Sequence, residues 1–171
     1  MFVAGVVPVS VQGAPGSKKQ AAARPPHVST ETLPVLLQRG TQAFAAGDFA
    51  QAADAFGRVE SEFGGEQEWQ SGALPRRLLP LRGFAALRAG RAGEAAEDLA
   101  EFLARFPDEA GQRGFALFAL ALAREEAGKT DEALASFLAF EEEHPGTPQA
   151  TLARMRRAEI LFATARADEA F

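Results

Sequence analysis

The sequence contains no cysteine. That removes disulfide frameworks, thiolate metal sites and lipid-acceptor thiols from consideration. Because exported and cytosolic proteins alike can lack cysteine, it leaves the compartment open. Beyond the first dozen positions β-branched residues are sparse, while alanine is abundant and leucine and phenylalanine supply most of the large apolar side chains. This mixture favours helix, in which alanine costs least and β-branched residues lose rotamer freedom. A net charge of −5 gives no basic stripe for phosphates and argues against a nucleic-acid partner. The two histidines, His27 and His144, have no histidine or cysteine partner in sequence, so neither makes a metal site. Glu125 and Glu126 are adjacent and show no acid–base arrangement, and no phosphate loop or nucleophile motif is present. The acidic run Glu141-Glu142-Glu143 reads as a solvated face, because consecutive helical residues point in different directions. No catalytic residue, cofactor or metal is expected, and the chain reads as a non-enzyme.

At 171 residues the length fits one domain with a continuous core. Residues 2–12 form an apolar run followed by Gly13-Ala14-Pro15-Gly16-Ser17. About ten apolar residues are too few to span a bilayer, so no direct membrane span is expected. The run is either a disordered tail or the back half of a secretory signal cleaved before Ala14, though no positively charged leading region stands before it. Lys18 to Thr30 lacks large apolar periodicity and reads as linker, so residues 1–29 are set apart from a domain at 30–171.

Within that domain Leu33, Leu36, Leu37 and Phe44 recur on one helical face, ended by Gly47, with Asp48 placed to cap the next helix. That helix carries Phe49, Ala52, Ala53, Phe56, Val59 and Phe63 to Gly64-Gly65. Residues 64–75 read as a long connection holding the lone tryptophan, Trp69, which is expected to pack on neighbouring helices. The next helix is expected to begin between Pro75 and Arg77, with Pro80 in or near its first turn. It turns at Gly90 and continues to Pro107. A third pair turns at Gly128, and Thr147-Pro148 opens a fourth. The expected hairpins are 33–63, 75–106, 111–144 and 148–171, the last incomplete.

Taking Gly47, Gly90, Gly128 and Ala165 as register marks gives spacings of 43, 38 and 37 residues. Seven positions before each mark stand Gly40, Gly83, Ala121 and Ala158, and five after stand Ala52, Ala95, Ala133 and Ala170, all small enough for helices to approach closely. Nine after come Phe56, Leu99 and Phe137; twelve after come Val59, Phe102 and Phe140; seventeen after come the helix stops Gly64, Pro107 and Pro145. Small residue, glycine turn, alanine, large aromatic and proline, recurring in this order, resemble the tetratricopeptide repeat (TPR) over residues 33–171. The resemblance implies an all-α superhelix, a solenoid of about three and a half hairpins. Departures are Arg39, Arg82 and Arg157, where the family usually places leucine, and Arg154 at the position of Leu36, Leu79 and Leu117. The phrases at 102–108 and 140–148 resemble the bacterial cell-envelope branch of the family, which serves outer-membrane assembly and the Tol–Pal system. This implies a periplasmic or envelope location, with the cytoplasm as alternative.

The resemblance further implies a concave groove lined by Leu37, Thr41, Phe44, Arg77, Phe84, Leu87, Arg88, Phe118, Leu122, Glu125, Met155 and Phe162. The expected function is a scaffold binding a partner protein or peptide there, with Arg88 and Glu125 setting orientation. Thr41, Phe84 and Leu122 occupy the positions at which some family members clamp a terminal carboxylate, so a clamp of that kind is not expected. The alternatives are a structural or oligomerisation module self-associating through residues 148–171, or a repeat fragment of a longer protein. The fourth copy reaches Ala170 and stops one residue later.

Overall fold

The computed structural model describes residues 31–164. The signal or linker expectation for 1–29, and the register mark and final helix expected from Ala165 onward, lie outside the described residues. Those described form α1 (Leu33–Ala46), α2 (Phe49–Phe63), α3 (Gln67–Gln70), α4 (Ala73–Arg88), α5 (Ala92–Arg105), α6 (Ala110–Glu126), α7 (Thr130–Glu143) and α8 (Pro148–Ala163), with no strand among them. The helices pair as α1/α2, α4/α5 and α6/α7. Each second helix then packs on the first helix of the next pair, α2 on α4, α5 on α6 and α7 on α8. This is the all-α superhelix of stacked hairpins.

The three glycine marks form the same turn. Gly47, Gly90 and Gly128 have φ of 79°, 76° and 72°, a left-handed conformation that a side chain disfavours. The residue after each glycine donates its N–H five residues back, to the carbonyls of Ala43, Ala86 and Arg124 at 2.9, 2.8 and 2.8 Å. That bond closes the helix end in a Schellman motif. Asp48 then caps α2 by accepting from the Gln51 N–H at 3.0 Å, and Thr147 caps α8 by accepting from Ala150 at 3.1 Å.

Across each hairpin the small residue before the glycine meets the large one after it. A Cβ on Gly40 would lie 2.4 Å from the Phe56 ring, and one on Gly83 would lie 2.7 Å from Leu99. Ala121 and Phe137, the matching pair in the third hairpin, are fully buried in one cluster. Ala52, Ala95 and Ala133 are likewise fully buried. One core runs from Leu36 to Ala123 and a second cluster joins α6, α7 and α8.

Three expectations are corrected. Residues 67–70 are a short helix, and it carries Trp69 into the core, where the indole packs as expected. Helix α4 starts at Ala73, earlier than Pro75: Gly72 takes a φ of 85° to begin it, and Pro75 falls in the first turn, whose N–H groups have no helical partner. Pro80 therefore sits inside α4, not near its start, and offers no N–H to the carbonyl of Arg76 one turn back. Its ring is buried, so core contact offsets part of that loss. Finally, Glu141 is not on a solvated face. It is buried and accepts from Arg154 and Arg157, each at 3.1 Å, whereas Glu142 is exposed.

The arginines at leucine positions mark the joints between repeats. In α4, Arg82 donates through Nε to Asp98 at 2.7 Å and through Nη1 to Glu60 of the preceding repeat at 2.5 Å, and its Nη2 also bonds Asp98. Burial works against the Arg82 charge, but its bonds to Asp98 and Glu60 outweigh it and hold the guanidinium above its ordinary range. For Asp98 burial wins and pushes the carboxyl up, with Arg82 pulling the other way. At the third joint Arg157 meets Glu141 of the preceding repeat. The middle joint places Leu120 and Leu103 at those same two register positions, both in the apolar core. Arg39, before the first joint, pairs with Glu31.

Candidate functional site

Phenylalanines from consecutive first helices form a ladder. Phe44 of α1 lies 5.9 Å from Phe84 of α4, which lies 5.4 Å from Phe115 of α6. Phe49 closes on both Phe44 and Phe84, edge-on at 5.5 and 6.0 Å. Arg88, one turn beyond Phe84, sets its guanidinium over the Phe49 and Phe84 rings at 5.0 and 5.9 Å. Beside the ladder opens a groove of about 440 Å³ whose walls are Phe84 and Leu87 of α4, Phe115, Phe118 and Leu122 of α6, and the end of α7. Its lining is mainly apolar, with few polar groups, the usual make-up of a binding cleft.

Of the residues expected in a groove, Phe84, Leu87, Phe118 and Leu122 are brought together here. Leu37 and Phe44 pack partly buried against the first core cluster. Thr41 turns its hydroxyl back to the carbonyl of Leu37 at 2.9 Å. Arg77 is exposed on α4. Glu125 is held by Arg156 at 2.7 Å, and its second oxygen is buried with no hydrogen-bond partner among the described residues. Met155 and Phe162 stand on α8, away from this groove, and are 55% and 59% exposed.

Sequence reasoning missed Phe115, although it is 47% exposed and sits at the mouth. It also missed His144, Thr147 and Gln149, because the lining was assigned to first helices alone while the turn from α7 into α8 closes one side. A signal existed in Gly114, a glycine inside a helix where alanine would cost less. A Cβ there would lie 2.7 Å from Nε2 of His144, so the glycine admits the imidazole. The ring packs at a tilt on Phe140, 4.8 Å between centroids, and Nε2 has no hydrogen-bond partner among the described residues. Arg113 binds both oxygens of Glu143 at 2.8 and 2.7 Å, and that hydrogen bonding holds the Glu143 carboxyl below its ordinary range.

A second cleft of about 490 Å³ between α2 and α5 shares no lining residue with this groove and is lined by polar and charged groups that include Arg58, Arg82, Arg91 and Asp98. These four are already ion-paired. Among the described residues no group of histidine, cysteine or carboxylate side chains is arranged to hold a metal ion, and no helix is long and apolar enough to cross a membrane.

Residues 115–147 match the family model for the tetratricopeptide repeat. The chain is similar in structure to the second TPR domain of the human RPAP3 protein, solved in complex with the HSP70 peptide SGPTIEEVD. That match has a TM-score of 0.52 at 23% identity and covers 73% of this chain and 91% of that one. It is also similar to the first TPR domain of human RPAP3, with a TM-score of 0.55 at 20% identity, covering 81% of this chain and 96% of that one. No curated protein matches the chain. The fold is thus that of the tetratricopeptide superhelix, and the third hairpin carries the repeat's sequence signature as well.

Proposed function

We propose that the protein is a non-enzymatic scaffold that binds a peptide segment of a partner protein in the groove beside the phenylalanine ladder. The observation that carries this reading is the cleft of about 440 Å³ walled by Phe84, Phe115 and Phe118 from adjacent repeats. Aromatic rings left half-open to water at such a seam gain when a partner covers them. The peptide bound to the RPAP3 domain supports the mode of binding, not the identity of the ligand. We extend the proposal to the bacterial cell envelope, on the likeness of residues 102–108 and 140–148 to envelope members of the family and on the apolar run at 2–12. To test the site, Phe115 is replaced by the photo-crosslinker benzoylphenylalanine and irradiated in native-cell extract, with the exposed Ser61 of the polar cleft as control. Crosslinks from position 115 to one recurrent partner peptide are expected. Equal crosslinking from both positions would sink the reading.

Self-association through residues 148–171 is a second role, favoured by the exposure of Leu152, Met155 and Phe162 on α8 at 44%, 55% and 59%. Sedimentation of the chain and of Phe162→Glu separates the two. A monomer in both cases removes this role, whereas a dimer that the substitution dissolves supports it.

A further inference from the structure

We infer that the partner segment is an internal stretch of chain carrying apolar side chains flanked by acidic residues, with Arg77 and Arg88 as its charge contacts; this rests on the reading of the groove as a peptide site. The described surface is thoroughly ion-paired. Arg39, Arg58, Arg76, Arg82, Arg91, Arg105, Arg113, Arg124, Arg154, Arg156 and Arg157 each bond a carboxylate. Arg77, Arg88 and Lys129 alone among the described lysines and arginines bond no described carboxylate. Two of these three stand on α4, seven residues before and four after Phe84. Those spacings bring all three side chains to one face of the helix. Arg88 already lies over the Phe84 ring, and that ring forms one wall of the groove.

Three carboxylates around the groove are already taken by other arginines. Glu125 is held by Arg156, Glu143 by Arg113 and Glu109 by Arg76. Arg77 and Arg88 thus carry guanidinium charge that no described carboxylate pairs, on a chain whose net charge is −5. A groove with apolar walls, and two guanidiniums without carboxylate partners on one face of a wall helix, is complementary to an apolar segment bounded by acids.

Geometry separates this from capture of a chain terminus. Arg77 and Arg88 are eleven residues apart on one helix, or about 16 Å at 1.5 Å per residue. With Arg88 held over the Phe49 and Phe84 rings, side chains rooted that far apart suit two separate carboxylates better than one. They suit two acidic residues about five positions apart in an extended ligand, or about eleven apart in a helical one.

The test selects random twelve-residue peptides, displayed with protein on both flanks, against the full chain. Enriched sequences are then made as fluorescein-labelled peptides and titrated by anisotropy. We expect enrichment of aromatic or leucine residues between acids. We also expect Kd to rise with salt, and to rise about tenfold or more in the double variant Arg77→Glu, Arg88→Glu, since each exposed pair is worth under about fivefold and reversal adds repulsion. Both positions are exposed, and circular dichroism checks that the variant is folded. Enriched peptides that lack acids, or that bind the double variant unchanged, would overturn the acidic partner and leave the groove reading intact. Peptides whose binding survives Phe115→Asp, or a selection that enriches nothing, would overturn both.

Discussion

Glycine has opposite meanings at two helical positions of this chain. At Gly40 an added methyl would sit 2.4 Å from the Phe56 ring, whereas at Gly57 nothing lies within 4 Å. Replacing glycine by alanine inside a helix normally gains about 0.5–1 kcal/mol. Gly57→Ala should therefore raise the urea midpoint by that order. Gly40→Ala should lower stability by about 1–3 kcal/mol, because Phe56 is fully buried and has no room to retreat. Equal gains at the two sites would show that the hairpin is not close-packed there. The sequence register already marked Gly40 as a position of close helix approach and Phe56 as a large residue between the helices; the structure brings the two together. The register did not distinguish Gly57, a glycine in the next helix with no packing duty.

Among the elements, the joints between hairpins alternate in chemistry. Arg82 with Glu60, Leu120 with Leu103, and Arg157 with Glu141 occupy the same register positions, so an ion pair and a leucine pair solve the same packing problem. Arg82→Ala strands Asp98 and Glu60 at a partly buried site and should cost about 3 kcal/mol or more, since an orphaned buried charge is expensive. The triple change Arg82→Leu, Glu60→Leu, Asp98→Ala, which copies the middle joint and the alanine at Ala55, should recover most of that loss. Chemical denaturation of the two variants checks both halves. If the triple variant is no more stable than Arg82→Ala, the joints are not interchangeable. The sequence marked these arginines as departures from a leucine pattern. Their partners lie up to 22 residues away on other helices, beyond the reach of periodicity.

On the scale of the whole molecule, stability in a stacked array is shared between each hairpin and its neighbours. Helix α4 packs on α2, α3, α5 and α6, and it buries Leu78, Leu79, Ala85, Ala86 and Leu87. Helix α8 packs on α7 and buries only Ala150, Ala153 and Leu161. Arg154 takes the place of a core leucine there, stays largely exposed and pairs with the buried Glu141. Amide hydrogen exchange should therefore be faster in α8 than in α4, since openings are easiest where burial is least. Equal protection would mean that the array opens as one unit. The groove belongs to this scale too, because its walls come from α4, α6, α7 and the turn into α8.

What the sequence alone determined is what depends on near neighbours along the chain. The hairpin register, the three glycine turns and the small and large positions around each follow from residue size and helical period, which act within a few turns. The tertiary structure decided the rest. It chose Phe115 and His144 as groove walls, buried Glu141, drew Pro80 inside a helix, and left Arg77 and Arg88 without the acidic partners that the other described arginines found. The physical reason is that pairing and burial are set by distances between side chains tens of residues apart, which exist only once the hairpins have stacked.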